Sequence, residues 1–272
     1  WDAALGAGVD RDAIVVAIGG GVVGDMAGFA ASTLLRGLRV VQAPTSLLAM
    51  VDASVGGKTG FDHPTGKNLV GTFHQPSAVV VDLGHLATLP KRERACGLAE
   101  ALKMGLLGDA ALFERMERDA DRLAAGDVDA LLPVVRAAIQ GKIRIVSADE
   151  RESGVRAVLN VGHTVGHALE SATQYTKWLH GEAVSIGIVR ELELARRLDC
   201  VRPETIDRTV DVLRKLGLPT SADRADMHRA RAFVAADKKR AGRTFRVPLV
   251  DGIGSVTMRA VSSEDMGRVF EL

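Results

Sequence analysis

Apolar positions follow two regimes along the chain. Up to about residue 85 they come in short unbroken runs, and beyond residue 90 they recur every three to four positions. The run Ala13-Ile14-Val15-Val16-Ala17-Ile18 is continuous and rich in β-branched residues, which predicts a strand buried on both faces. Gly19-Gly20-Gly21-Val22-Val23-Gly24-Asp25 follows, then a helical stretch from Met26 to Leu35. Further strands are expected from Leu38 to Ala43, ending at Pro44-Thr45, and from Ala78 to Leu83. Strand, glycine turn, helix and strand in that order imply α/β topology with parallel strands. Helical periodicity then dominates at roughly 91–107, 109–125, 128–149, 163–173, 180–198, 203–216 and 223–236. Gly154, Pro203 and Gly217-Leu218-Pro219 punctuate these segments. Alternation from Arg243 to Pro248 and from Gly254 to Arg259, around Asp251-Gly252, predicts a hairpin. The expected architecture is an α/β part over 1–88 and a mostly α-helical part over 89–272, with the cleft between them a favoured place for a ligand.

Composition narrows the classes. The 272 residues are 47% apolar and 25% charged, ordinary for a globular chain and incompatible with disorder or low complexity. A net charge of +1 gives no global reason to expect nucleic acid or a membrane surface as partner. Two cysteines without CxxC spacing favour a reducing cytoplasm over secretion. No apolar run approaches the ~18 residues of a membrane span, and the chain reads as soluble. It opens on Trp1-Asp2 without Met and enters its first strand almost at once, and three strands are few for such a sheet. Upstream sequence is therefore expected. An intact mass of the natural protein near 28.8 kDa would refute that expectation.

Three features carry candidate chemistry. Gly19, Gly20, Gly21 and Gly24 lie between a strand and a helix, where missing side chains let amide groups and the positive helix end approach a phosphate. The spacing GGGxxGD is not the GxGxxG fingerprint, so a tight turn and a pyrophosphate cradle are both open. His163-Thr164-Val165-Gly166-His167 places two imidazoles on one face of a helix, and His180 follows in Trp178-Leu179-His180-Gly181-Glu182. Thr164 stands where HExxH needs glutamate, which excludes a zinc protease. Three of seven histidines thus fall within eighteen residues, and a carboxylate would complete a typical metal set. Glu100, in Leu98-Ala99-Glu100-Ala101-Leu102-Lys103, is a candidate, although spacing alone favours a solvated ion pair with Lys103. The third feature is a loop from Asp52 to Gly60 followed by Gly66-Lys67-Asn68. It resembles a P-loop but lacks the first glycine of GxxxxGK[ST], so a nucleoside triphosphatase is not expected. Lys58, Lys67, Asn68 and exposed amides suit a compact phosphate or carboxylate, and Arg156, Asn160 and Asp237-Lys238-Lys239 add to a positive cleft.

The runs GGGVVGDMAGFAAS (19–32), RGLRVVQAPTSLLAMVDASVGGKTGFDHPTGKNLVGTFHQP (36–76) and TLPKRERACGLAEALKMG (88–105) are long and specific, as are DERESGVRAVLNVGHTVGHALE (149–170), WLHGEAV (178–184) and DKK (237–239). In order and content they resemble the dehydroquinate synthases, NAD- and metal-dependent cyclases of the shikimate pathway. The resemblance runs from about residue 13 to 270 and implies a Rossmann-like nucleotide-binding domain, truncated at its start, before the helical domain. It assigns Gly20, Gly21, Asp25, Thr45, Ser46 and Thr88 to NAD, and Glu100, His163 and His180 to a divalent metal, zinc or cobalt. It places Asp52, Lys103 and Arg156 at the substrate ring and carboxylate. Lys58, Lys67, Asn68, Asn160, His167 and Lys239 surround the phosphate end, with Lys238 the alternative to Lys239. Arg36 would reach the phosphate site of a partner subunit, since the family commonly forms dimers. Met104 stands where the family often has Tyr. The family's first ~80 residues, which supply contacts to the adenosine half of NAD, have no counterpart here, so poor cofactor binding is expected of the chain as given.

The implied substrate is 3-deoxy-D-arabino-heptulosonate 7-phosphate and the implied product 3-dehydroquinate. Oxidation at C5 acidifies the C6 proton, phosphate leaves from C7, hydride returns, and ring opening with an aldol step closes the carbocycle. No residue is an obvious dedicated base for C6, so the leaving phosphate, oriented by His167 and Asn160, is expected to help remove that proton. A metal-dependent alcohol or polyol dehydrogenase, another sugar-phosphate cyclase and a non-catalytic scaffold are the rivals. The dehydrogenase has no use for Lys58, Asn68 and Lys239.

Overall fold

A parallel sheet forms because β1 (Ile14–Gly19) and β2 (Arg39–Pro44) are short β-branched runs joined by helix α2 (Gly21–Thr33), the right length for a crossover. This computed structural model describes residues 1–63, 66–241 and 244–271, with side chains for all of these except 66–68 and 234–241. A one-turn helix α1 (Asp2–Gly6) precedes the sheet. A hairpin of β3 (Lys58–His63) and β4 (Gly66–Phe73) leads on to β5 (Ala78–Val79), which pairs in parallel with β2. The sheet order is β1-β2-β5.

Four expectations for this part are corrected, the simplest being the strand expected from Ala78 to Leu83, which is confined to Ala78–Val79. The apolar run of β1 is covered on one face only. Val15 packs against the small cluster of Ala31, Leu34, Leu38 and Val40, whereas Ile14, Val16 and Ile18 are 49%, 56% and 63% exposed. A run apolar at both parities cannot tell whether a second layer covers it. The loop expected from Asp52 to Gly60 opens in a wide helical turn at Asp52-Ala53 and ends in β3 from Lys58, and Gly66-Lys67-Asn68 begin β4 of the same hairpin, which has a register shift between Phe61 and His63. Helix α2 also starts at Gly21 rather than Met26. At Gly24, inside it, a Cβ would lie 2.6 Å from Gln42 Oε1 on β2, so the end of the Gln42 side chain would have to shift.

The helical part follows its periodicity closely: α3 (Lys91–Gly108), α4 (Ala110–Arg118), α5 (Ala120–Ala125), α6 (Val128–Ala148), α7 (His163–Ala172), α8 (His180–Arg197), α9 (Pro203–Lys215) and α10 (Arg224–Ala241). The expected hairpin is β6 (Thr244–Gly252) and β7 (Ser255–Ser262), and α11 (Ser263–Arg268) follows. Helix α3 runs through the centre, buried without a break from Arg94 to Leu107. Its surroundings form the main hydrophobic cluster, which also takes in Leu47, Met50 and Val51. Met50 and Val51 belong to a wide π-type turn (Ala49–Ala53) that thereby plants Asp52 between the sheet and the helices.

Cys96 lies on α3, 1% exposed, and burial, aided by nearby Glu182, pushes its thiol up to about 12. Cys200 is partly exposed, and neither cysteine is bridged. Alkylation of the native protein at pH 8 is expected to label Cys200 and spare Cys96 until denaturant is added. Equal labelling rates in the folded state would contradict the burial.

Candidate active site

Three helices deliver their polar residues to one point. Glu100 and Lys103, one turn apart on α3, are each 1% exposed within an otherwise apolar stretch. His163 is the first residue of α7 and His180 the first of α8. The start of α8 reaches α3 because residue 181 is glycine: a Cβ there would lie 2.3 Å from Cys96 Cα. Arg92 clamps the junction. Its Nε and Nη2 donate to the two Glu182 oxygens, each at 2.6 Å, and Nη2 also to the Lys177 carbonyl at 2.8 Å. Glu182 in turn accepts from the Leu179 N–H at 2.9 Å, one half of a capping box, which ties down the turn that carries His180.

Glu100 Oε1 is 3.3 Å from His180 Nε2 and 3.6 Å from His163 Nε2, and Lys103 Nζ is 2.5 Å from Oε2. Burial works against ionisation, but Lys103, with His180 and His163, holds the Glu100 carboxyl well below the usual range. Burial first, and Lys103 second, bring His163 down to about 3, so its ring is neutral. Its Nδ1 lies 3.0 Å from the Val161 carbonyl, which can only accept, so the proton resides on Nδ1 and the Nε2 lone pair faces Glu100. Against the cost of burial, Glu100 and Glu170 push His180 up to about 10. Glu170 Oε2 is 3.5 Å from its Nδ1.

A lone pair aimed at a carboxylate is repulsive unless a cation lies between them. Both buried oxygens of Glu100 also accept no hydrogen bond of proper geometry, despite the short approach of Lys103. The donor set of one carboxylate and two imidazoles, all within 4.8 Å, fits a divalent metal with positions left for substrate. His167, Glu170 and His180 form a second group that shares His180. The His167 ring centroid is 5.2 Å from that of His163 and 6.0 Å from that of His180.

Cations and amides lie beside this group. Lys142, on α6, is buried and donates to Asp52 Oδ1 at 2.6 Å and to the Asp52 carbonyl at 2.7 Å. Burial lowers its pKa, and its field reaches both Lys103 and Glu100. Sequence reasoning missed Lys142. The available signal was its place on the apolar face of α6, one turn after Ala138 and one before Val146. Arg156, 2% exposed, donates to the Gly56 carbonyl at 3.0 Å and to the Glu150 carbonyl, and lies 6.0 Å from the Phe73 ring centroid. Its short 3-10 segment is braced by Asp149, which accepts from the N–H groups of Arg156, Ser153 and Gly154 and is held down to about 2 by them. Lys58 pairs with Glu152, and Asn160 Nδ2 donates to the other oxygen of Glu152 at 3.0 Å. Two residues expected at a phosphate thus share one carboxylate, a partner that the sequence reading also missed. Lys67 and Asn68 belong to β4 and Lys239 to α10, and their side chains lie outside the described residues.

The glycine turn follows the C-terminal end of β1, and Thr45-Ser46 follow that of the neighbouring β2, the edge where parallel sheets bind ligands. Thr45 N–H donates to the Gly19 carbonyl at 2.8 Å. Gly20 caps α2 with no side chain, leaving its first amides open to an anion, which fits a dinucleotide pyrophosphate. Burial, then Asp52, raises Asp25 to about 6. Thr88 is exposed and donates to the His85 carbonyl at 3.3 Å. Arg36 is exposed in the turn between α2 and β2, and no contact among the described residues joins either one to Glu100.

Comparison with known proteins gives a consistent result. The family profile described as 3-dehydroquinate synthase N-terminal matches residues 1–96, and that described as 3-dehydroquinate synthase C-terminal matches 97–240. The 3-dehydroquinate synthase of Halorhodospira halophila is 48% identical over 258 residues, covering 95% of this chain and 73% of that protein. Among solved structures, the 2-epi-5-epi-valiolone synthase of Streptomyces hygroscopicus, with NAD+ and Zn2+ bound, superposes with a TM-score of 0.90 at 35% identity over 99% of this chain and 75% of its own. A 2-deoxy-scyllo-inosose synthase complexed with carbaglucose-6-phosphate, NAD+ and Co2+ gives 0.89 at 26% identity, over 99% of this chain and 76% of its own. By both halves of its length, the chain belongs to the 3-dehydroquinate synthase family.

Proposed function

We propose that this protein is a 3-dehydroquinate synthase, converting 3-deoxy-D-arabino-heptulosonate 7-phosphate to 3-dehydroquinate and phosphate in the shikimate pathway. The observation that carries the reading is the convergence of Glu100, His163 and His180 beside the buried cations Lys103 and Lys142. Glu100, His163 and His180 hold a divalent metal, zinc or cobalt, and Gly20, Gly21, Asp25, Thr45, Ser46 and Thr88 take NAD, in a cleft between an α/β part (1–88) and a helical part (89–272). When bound, NAD supplies a reversible hydride acceptor and the metal a Lewis acid that lowers the pKa of substrate hydroxyls.

The chain's own residues do the rest. Lys103, 1% exposed, offers its ammonium to a substrate oxygen in a low-dielectric setting, where such a contact is strongest. Asp52, fixed by Lys142, presents an acceptor to the ring hydroxyls. Arg156 takes the carboxylate, its guanidinium pinned by two backbone carbonyls so that little entropy remains to be lost. Lys58, Lys67, Asn68, Asn160 and Lys239 receive the phosphate, which displaces Glu152 from Lys58 and Asn160. His167 and Asn160 orient the leaving phosphate as it removes the C6 proton. Arg36 completes the phosphate site of a second copy in a homodimer. No helix among the described residues is long and apolar enough to cross a membrane, and the reading places the enzyme in the cytoplasm.

The test is to incubate the protein made from the complete gene with NAD, zinc and the heptulosonate phosphate. Phosphate release without net NADH supports the reading, and NADH accumulation without phosphate identifies a dehydrogenase instead. His167→Ala is expected to lose phosphate release while keeping cofactor and metal, and unchanged turnover in that variant would remove His167 from the chemistry.

A further inference from the structure

Helix α7 begins at His163, and its N-cap is Gly162, which has no side chain to satisfy the first amides. The missing acceptor comes from another helix. Glu191, within α8, directs Oε2 at the Gly162 N–H at 2.6 Å, and the amides of Thr164 and Val165 also point to this carboxylate. Glu191 is 3% exposed. A buried carboxylate is costly unless its hydrogen bonds have a purpose, and the positive end of α7 is a place where it is tolerated.

The same joint is closed by backbone. Gly162 has φ +79°, and a Cβ at Gly187 would fall 1.9 Å from the Gly162 carbonyl oxygen. Contact between the two glycines limits how near α7 and α8 approach, and the Glu191 hydrogen bond keeps them from separating. Helix α8 carries His180 at its start and grips the start of α7 through Glu191. The His163 and His180 ring centroids are 5.3 Å apart across that joint.

We propose that Glu191 is a positioning residue for the metal centre: by holding the Gly162 amide it fixes His163 relative to His180 and sets metal affinity. The inference rests on the reading that Glu100, His163 and His180 bind the metal. Loss of an outer partner of this kind typically weakens metal binding by about 10–100-fold.

Zinc affinity, measured by competition with a chromogenic chelator on the purified protein, tests it, with melting temperature and NAD affinity measured alongside. Glu191→Ala is expected to weaken zinc binding by about 10–100-fold. Glu191→Asp, which keeps the carboxyl group but withdraws it by one methylene, is expected to do the same and decides the matter if the alanine variant does not fold. Glu191→Gln keeps an acceptor oxygen at full reach and is expected to stay close to the parent, with NAD affinity unchanged throughout. If the alanine or aspartate variant melts lower yet binds zinc as tightly as the parent, Glu191 is only a helix cap and the proposal is overturned. His163→Ala separates the two readings: zinc binding unaffected by that change would refute the metal site itself.

Discussion

Glu100→Gln is expected to abolish zinc binding and turnover together and to destabilise the fold by about 3–5 kcal/mol, the usual cost of removing one partner from a buried ion pair. The substitution preserves volume, so the loss is electrostatic. Lys103, 1% exposed, would be left with no counter-charge in contact, and His180 would lose one of its two carboxylates. The pH dependence follows from the directions of the shifts. Glu100 is held well below its ordinary 4.5, so its contribution is present above that pH and lost as the pH falls below it. His180 is raised from 6.5 to about 10, so its contribution is complete below 6.5 and lost as the pH rises towards 10. In the metal-free protein the penalty of the variant should therefore be greatest between pH 4.5 and 6.5 and shrink on either side. Urea unfolding across pH, paired with zinc analysis, measures both. A variant that retains stoichiometric zinc and parental turnover would end the assignment of Glu100 as a ligand.

Gly181→Ala is expected to be nearly as damaging, although it alters no ligand. The new methyl would meet backbone rather than flexible side chain: Cys96 Cα at 2.3 Å and the Cys96 carbonyl oxygen at 2.4 Å. Helix α8 must then move off α3, carrying His180 from Glu100 and straining the Arg92–Glu182 clamp. Overpacking of this kind costs about 1–3 kcal/mol, with weaker metal binding as the specific sign. Gly108→Ala, at the exposed end of α3 with no atom within 4 Å of the added Cβ, is the control and should change neither property. Equal behaviour of the two variants in zinc titration would show that the α3–α8 contact does not tune the site.

Much of the site was legible before any coordinates. His163 and His167 shared a helical face by spacing, and both lie on α7 as that spacing required. The strongest element signals, the long 3.6-residue periodicities, located the helices from α3 to α10 to within about five residues, except that the single segment expected at 109–125 is two helices, α4 and α5. Glu100 was misleading by itself. An acid and a base one turn apart ordinarily mark a solvated face, yet here the pair lies inside a helix buried without a break from Arg94 to Leu107. The resemblance to a family corrected that reading, whereas charge and spacing did not. Lys142 and Glu191 went unnoticed for a related reason: each is one polar residue on an apolar face, and its partner is distant in sequence, Asp52 for one and Gly162 for the other.

The order of residues by itself determined where helices and parallel strands form, because periodicity, glycine turns and caps are local properties. It also determined which imidazoles share a helix and that the chain carries no large net charge to attract a partner. Only the tertiary structure decided that Glu100, His163 and His180 meet, that Lys103 and Lys142 are dry, and that Lys58 and Asn160 close on Glu152. Those outcomes depend on how closely α3, α7 and α8 approach, which backbone contacts at Gly181, Gly187 and Gly162 set. Burial then converts ordinary acids and bases into a metal-binding set, since the same charges on a solvated surface would be screened and nearly indifferent to one another.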